Sequence, residues 1–300
     1  MNSKSFLGLL LLASLWGPSF LFIKVAGRDI PPLTMTAARV SIAALLLYVV
    51  LKLHGGKLIH IRRMWKHFAF VGLIGNALPF TLFNWGEIHI DSAMASILNG
   101  TTPLFTILIA HFFTHDDRLT PAKIIGAIIG FSGLALLVAP ALISGVKAGS
   151  LGVIAVTTAA LCYGVTTVYT RKFFRGMPKY VAPTGQLGFA ALIMLPLCLI
   201  VEKPYELALP SWQAFGSLLA LAIFGTSIAF VVYYRILEFT PASSLSMVTY
   251  LIPIFGVILG VIVLNEQLAW NAYIGCALIL LGVMVVNRFV QIGTLLPKFR

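Results

Sequence analysis

Long apolar runs separated by short polar breaks occupy almost the whole chain. Many of them reach the ~20 residues that an α-helix needs to cross a ~30 Å hydrocarbon core. Segments of alternating polarity, which are typical of a transmembrane β-barrel, do not occur. The pattern predicts an all-α integral membrane protein with ten transmembrane helices, near residues 5–26, 32–53, 66–86, 90–114, 121–143, 150–171, 180–201, 212–236, 240–264 and 270–290.

The first apolar run resembles a signal peptide only in its position. It is too long for the apolar part of a signal peptide and it lacks a small-residue cleavage site. We therefore interpret it as a membrane-spanning helix.

The stretch 90–138 occurs a second time at 240–287, and such internal repeats bear on the whole fold. Pro103 corresponds to Pro253 at a separation of 150, and Phe80 corresponds to Phe230 at the same separation. Five helices per half is an odd number, so the second half enters the membrane from the opposite side. The sequence predicts two inverted five-helix repeats around a central cavity, at 1–145 and 146–290, followed by a tail at 291–300.

The distribution of charge predicts the orientation. The chain is 59% hydrophobic and 10% charged, with a net charge of +12. Of its 21 Lys and Arg residues, 16 fall on one side of the ten-helix topology and 4 on the other, and Arg39 lies inside a helix. Positive residues concentrate on the cytoplasmic side, so we expect a multi-pass protein of the cell (inner) membrane with both termini cytoplasmic. The charge is spread over separate loops that face anionic lipids, which argues against nucleic-acid binding.

Several motifs point to one family. They are Leu15-Trp16-Gly17-Pro18-Ser19-Phe20 followed by Lys24, Arg39, the region Ser92–Pro103, Asp116-Asp117-Arg118-Leu119, and Glu266-Gln267-Leu268 with Gly275 and Gly282. With these motifs the chain resembles the EamA-like branch of the drug/metabolite transporter superfamily, although Asp116-Asp117 stands where a single Glu is usual. The resemblance implies a cavity lined mainly by helices 1, 3, 4, 6, 8 and 9, and it implies export of amino acids and other metabolites, or movement of drugs and nucleotide-related compounds.

Polar and aromatic side chains within the apolar runs are the candidates for substrate binding. In a bilayer such groups face protein or water, and hydrogen bonding between helices is the alternative role for each of them. Rings with a polar group suit a small amphipathic solute. The candidate substrate-binding residues are Trp16, Phe80, Asn84, Asn99, Tyr163, Tyr233 and Thr249.

Two prolines and one arginine complete the candidate site. Pro103 and Pro253 each remove a backbone hydrogen bond within a helix, and we expect them to act as hinges. Arg39 could present a fixed cation to a carboxylate of the substrate, or it could pair within the protein. The acids Glu87, Asp91 and Glu266 lie near helix ends, where we expect braces and caps instead of proton carriers. No carboxylate is predicted at mid-membrane, so the sequence does not support obligatory proton coupling.

An enzyme is the main competing class, and the sequence argues against it. The six histidines show no metal-ligand spacing, and neither a phosphate loop nor a Ser/His/Asp set occurs. We expect no catalytic residue, metal or cofactor. The predicted function is a secondary transporter that exports a small amphipathic metabolite, with a lipid or lysolipid flippase, or a drug/nucleoside transporter, as the alternative. The expected partners are that solute and membrane lipids, and a homodimer is left open.

The orientation is tested with single cysteines in a variant from which Cys162, Cys198 and Cys276 have been removed. His60→Cys and Gly145→Cys fall on opposite sides of the ten-helix topology. An impermeant thiol reagent is expected to label them from opposite sides of the membrane. Labelling of both from one side would contradict the topology and the inverted repeat.

Overall fold

A computed structural model describes residues 3–113, 120–143, 148–239 and 248–286, which form ten long helices and no strand. Two short helical turns, Ile59–Arg63 and Pro204–Glu206, lie in connections. The ten-helix prediction is confirmed, with small shifts at the helix ends. The helices are α1 (Ser3–Trp16 and Ser19–Ala26), α2 (Pro32–Leu53), α3 (Trp65–Gly72, Leu73–Ala77 and Leu78–His89), α4 (Ser92–Asn99 and Thr102–Phe113), α5 (Pro121–Ile143), α6 (Ala148–Phe173), α7 (Val181–Val201), α8 (Trp212–Ala222, Ile223–Ile228 and Ala229–Phe239), α9 (Val248–Leu264) and α10 (Trp270–Val286).

Seven of these helices are long and apolar enough to cross a membrane. Apolar stretches of 10–17 residues in α5, α9 and α10, namely Pro121–Leu136, Ile252–Leu264 and Trp270–Gly282, are shorter. Large apolar side chains point outward along many helices, such as Leu45 and Ile262. In a membrane protein this surface faces lipid, so the exposed apolar area is expected and needs no protein partner.

Helices from opposite repeats pack against each other at their glycines. The backbone of Gly282 in α10 lies against Gly126 and Gly130 of α5, and a Cβ atom at Gly133 would lie 2.7 Å from the carbonyl oxygen of Gly275. In a bilayer the hydrophobic effect does not drive helices together. They associate through close packing, which small residues permit. These glycines therefore allow α5 and α10 to pack closely.

The third and eighth helices carry matching widened turns. Leu73–Ala77 in α3 and Ile223–Ile228 in α8 are π-helical. In α3, the side-chain amide of Asn76 donates to the carbonyl of Val71 at 3.1 Å. In α8, the hydroxyl of Thr226 donates to the carbonyl of Leu221 at 2.7 Å. Asn76 and Thr226 are 150 residues apart, so the repeat preserves both the distortion and the polar side chain that satisfies it.

Two ends of the bundle can be distinguished by their connections. We call the end with connections 27–31, 90–91, 202–211 and 265–269 the carboxylate face, and the end with connections 54–64 and 174–180 the basic face. On the carboxylate face, three acids each reach a helix of the other repeat. They are Asp29, Glu202 and Glu266.

Glu266 closes the start of α4. Its carboxylate oxygens accept from the amides of Ser92 and Ala93, at 2.8 and 2.9 Å. Asp91 occupies the N-cap position itself but makes no capping hydrogen bond through its side chain. Asn265, in the left-handed conformation with φ 56°, ends α9 and turns the chain so that Glu266 points back. Helix N-termini need such acceptors for their free amides.

Glu202 caps α2 in the same way. It follows α7 and accepts from the amides of Leu33 and Thr34 at 2.9 and 2.6 Å. Asp29 accepts from the amide of Ser211 at 2.9 Å and also from the Ser211 hydroxyl, at the start of α8. These two bonds lower the pKa of Asp29. The predicted capping role thus holds for Glu266, and Glu202 and Asp29, which the sequence analysis did not single out, have a similar role. Asp91, for which a brace or cap was also predicted, makes no capping bond through its side chain.

Replacing either capping glutamate by alanine is expected to destabilise the protein by about 0.5–2 kcal/mol, because two helix amides lose their acceptor. Thermal unfolding of Glu202→Ala and Glu266→Ala in detergent measures the loss. Glu206→Ala is the control, since Glu206 is exposed and pairs only with Lys203 across one helical turn, at 3.4 Å. Equal melting temperatures for the control and the two cap variants would contradict the capping role.

Candidate functional site

Aromatic side chains from four helices meet between the two repeats. Trp16 of α1 lies 5.8 Å from Tyr233 and 6.4 Å from Phe230, both in α8, between ring centroids. Tyr163 of α6 stacks on Phe83 of α3 at 5.8 Å and 22°. The structure therefore joins Trp16, Tyr163 and Tyr233 to rings of the other repeat.

Phe80 belongs to the same region. It is buried in a cluster with α2 and α7, and Tyr163 and Phe230 pack against that cluster. Four of the predicted residues, Trp16, Phe80, Tyr163 and Tyr233, are thus linked through shared neighbours. Phe83 and Phe230 complete the assembly, and we call these six side chains the aromatic cluster.

Arg39 is held at the edge of the aromatic cluster. Its guanidinium carbon lies 3.8 Å from the centroid of the Phe80 ring, and its Nε donates to the Thr226 hydroxyl at 2.8 Å. The side chain is buried, and among the described residues it forms no ion pair. A hydroxyl and a ring thus hold the cation, in place of the internal carboxylate that was the structural alternative.

The polar candidates are Asn84, Asn99 and Thr249. The side-chain amide of Asn84 donates to the Thr36 hydroxyl at 2.9 Å, which ties α3 to α2, while its carbonyl oxygen has no partner among the described residues. Asn99 is buried, and its side-chain oxygen accepts from the hydroxyl of Thr102 in its own helix at a long distance of 3.4 Å. Thr249 begins α9, but its side chain lies outside the described part of the structure.

The two predicted hinge prolines differ in their surroundings. α4 is divided at Gly100–Thr101, just before Pro103, whereas α9 continues as one helix through Pro253. The helices meet at this level, because a Cβ atom at Gly100 would lie 3.2 Å from Cγ of Pro253. The break in α4 therefore contacts the proline of the opposite repeat. The hinge roles of Pro103 and Pro253 stay predictions.

The first helix also has an interruption. α1 divides at Gly17–Pro18, where the backbone of Gly17 packs directly on Phe255 of α9. Any side chain at Gly17 would collide with this ring. The break turns Trp16 and Phe20, on either side of it, toward α8 and α3 respectively.

A cavity of about 650 Å³ lies between α2, α7 and α8 at the basic face. Its lining includes the cations Lys57, Lys179 and Arg235 and the ring of Tyr234. The hydroxyl of Tyr234 donates to the side-chain oxygen of Gln186 at 3.2 Å. The caps join the two repeats at the carboxylate face, whereas this cavity lies at the basic face.

Sequence reasoning missed several residues of this arrangement. Phe20 and Phe83 look like ordinary core residues in an apolar run, and only their contacts place them in or beside the aromatic cluster. Asn76 and Thr226 could have been recognised from their separation of 150. Among the described residues no group of three His, Cys, Asp or Glu side chains is arranged to hold a metal ion.

The family model of the EamA-like transporter family matches the chain twice, at residues 3–139 and 150–288. Among similar proteins, an uncharacterized transporter, YoaV, from Bacillus subtilis is 27% identical over 290 residues, covering 95% of this chain and 97% of its own. A probable terminal-alkyne amino-acid exporter from Streptantibioticus cattleyicolor is 26% identical over 287 residues, covering 95% and 94%.

One solved crystal structure of a protein with 22% identity superposes with a TM-score of 0.70, and the match covers 97% of this chain and 100% of that one. This likeness concerns the fold alone. The sequence resemblance is confirmed by the two family matches, which fall on the two halves of the ten-helix bundle. By these matches the chain belongs to the EamA-like transporter family.

Proposed function

We propose that the protein is a secondary transporter that exports a small amphipathic metabolite, such as an amino acid, by alternating access. The observation that carries this proposal is the aromatic cluster, to which both repeats contribute rings, with Arg39 at its edge. Flat apolar surfaces would bind the side chain of such a solute, and Arg39 would attract its carboxylate. One relative is named as a probable exporter, and we propose the same direction of transport for this protein.

Alternating access needs two faces that open in turn. Three caps join the repeats at the carboxylate face, and the basic face holds the cavity beside Tyr234 and Arg235. The distribution of Lys and Arg favours the basic face as the cytoplasmic one. Under this assignment the structure corresponds to a form closed toward the outside, in which a solute enters from the cytoplasm.

A flippase or a drug/nucleoside transporter on the same fold is the alternative. The panel that separates these functions uses phenylalanine, phenethylamine, a nucleoside, a cationic dye and a fluorescent lysolipid in proteoliposomes. The proposal expects uptake of phenylalanine and weak uptake of phenethylamine, which lacks the carboxylate. Preferential movement of the lysolipid, the dye or the nucleoside would favour the alternative.

Removing one ring of the aromatic cluster is expected to weaken solute binding with little change in folding. A single aromatic contact contributes about 0.5–1.5 kcal/mol, so Trp16→Ala and Tyr163→Ala should raise the half-saturating phenylalanine concentration by roughly 2–10-fold. Tyr163→Phe keeps the ring and should stay near the unmodified protein. Trp65→Ala is the matched control, since Trp65 starts α3 and is half exposed. Unchanged affinity in both alanine variants would show that the rings only pack.

The proline pair is expected to affect turnover more than stability. Pro103→Ala and Pro253→Ala each restore a backbone donor, which stabilises a straighter helix by about 1 kcal/mol and moves a balanced equilibrium several-fold. Because the repeats are inverted, the two variants should shift the resting orientation in opposite senses. Thiol accessibility at each face measures this shift. A shift in the same direction, or none, would rule out the symmetric hinge.

A further inference from the structure

A buried carboxyl group near the carboxylate face has no partner in the described structure. Glu87 lies in the last turn of α3 and its side chain is 1% exposed. Neither carboxylate oxygen has a hydrogen-bond partner among the described residues. An ionised carboxylate in such a place is strongly unfavourable, and the group takes up a proton instead. The sequence suggested that this acid would be a brace or a cap, and the structure gives it no such contact.

The two cations near Glu87 are committed elsewhere. Lys24 of α1 donates through Nζ to the carbonyl oxygens of Glu87 and Ile90, at 2.6 and 2.7 Å, so it satisfies the free carbonyls at the end of α3. Arg39 of α2 uses Nε on Thr226. Both influence Glu87 electrostatically without bonding its carboxylate.

The other charged neighbours are acids. Glu266, from the connection between α9 and α10, already accepts the amides of Ser92 and Ala93. Asp91, in the connection between α3 and α4, is half-buried and does not cap α4. On the α6 side, a Cβ atom at Gly86, next to Glu87, would meet the side chains of Val156 and Ala155 and the carbonyl oxygen of Gly152. Burial and the nearby Glu266 raise the pKa of Asp91, against an opposing effect of Lys24.

The charges that act on Glu87 are those of Lys24, Arg39 and Glu266, and neither cation forms a hydrogen bond with its carboxylate oxygens. A buried carboxyl group without such a partner is more stable with a proton bound. Asp91 is partly accessible to water, whereas Glu87 is shut off from it. The proton therefore belongs on Glu87, the group whose ionised form is solvated least.

We propose that Glu87 is a proton-binding site whose occupancy is linked to closure of the carboxylate face. Closure buries the Glu87 carboxyl beside the Glu266 cap, and separation of the repeats there would admit water and favour the ionised form. By linkage, a proton that binds the closed form more tightly favours closure, so acidification shifts the protein toward it. Only the opening step rests on the alternating access proposed above. The proton site itself stands independently of any transported solute.

Infrared spectroscopy of the purified protein tests the proton site without a substrate. At neutral pH the unmodified protein should show a carbonyl band from a protonated carboxylic acid. The band should disappear in Glu87→Gln and persist in Asp91→Asn. An unchanged band in Glu87→Gln, or its loss only in Asp91→Asn, would overturn the assignment. A band without uptake of any panel compound would keep the proton site and reject the proposed function.

Thiol labelling tests the link to closure. Ala214→Cys, in a variant without the three native cysteines, reports opening, because Ala214 is 1% exposed in the first turn of α8 and belongs to the core cluster that contains Phe20 of α1. Trp212→Cys is the matched control, since Trp212 is 86% exposed and corrects for the effect of pH on thiol reactivity. The normalised labelling rate should fall by roughly tenfold on acidification.

In the Glu87→Gln background, which mimics the protonated acid, the normalised rate should stay low at every pH. Glu87→Asp keeps a carboxyl group and should retain the pH dependence, which separates loss of the proton site from general misfolding. A pH dependence unchanged in Glu87→Gln, or a rate that does not vary with pH in the unmodified protein, would overturn the link between proton binding and closure.

Discussion

Backbone amides at a helix N-terminus need acceptors when water is excluded, and at one face of this protein carboxylates supply them from the opposite repeat. Glu266 serves α4, Glu202 serves α2, and Asp29 holds the start of α8. Each contact therefore joins the two repeats. These contacts hold the two repeats together at the face beside which the carboxyl group of Glu87 is buried.

The repeat conserves distortions as well as helices. Both α3 and α8 contain a π-helical segment, and a polar side chain donates to the carbonyl five residues earlier in each. Such widened turns are frequent at functional sites. Here the widened turn of α8 carries Thr226, which holds Arg39, so the distortion and the fixed cation form one unit. The interruption of α4 is of another type, because the helix is divided at Gly100–Thr101 and contains no π-helical segment.

The number and approximate ends of the helices follow from the sequence because length and apolarity alone decide what spans a bilayer. The sequence also indicates Trp16, Tyr163 and Tyr233 as candidates, because a ring with a polar group is conspicuous in an apolar run. Glu87 was not. Its position near a helix end suggested a cap, and only the three-dimensional arrangement shows that Glu266 already fills that role. The hydrogen-bond partner of Asn84 likewise depends on the packing of α3 against α2, which cannot be predicted from spacing along the chain.

The crossing of the caps between repeats has a consequence for biosynthesis. When α2 and α4 enter the membrane, the acids that complete their first turns, Glu202 and Glu266, have not yet been translated. The nascent first half must then leave those amides to water and lipid headgroups, and the carboxylate face can close only after the chain has been made as far as the connection between α9 and α10. The helices of the first repeat can therefore be capped only after the second repeat has been synthesised. The order of synthesis delays the final assembly of this face until the last two helices are made.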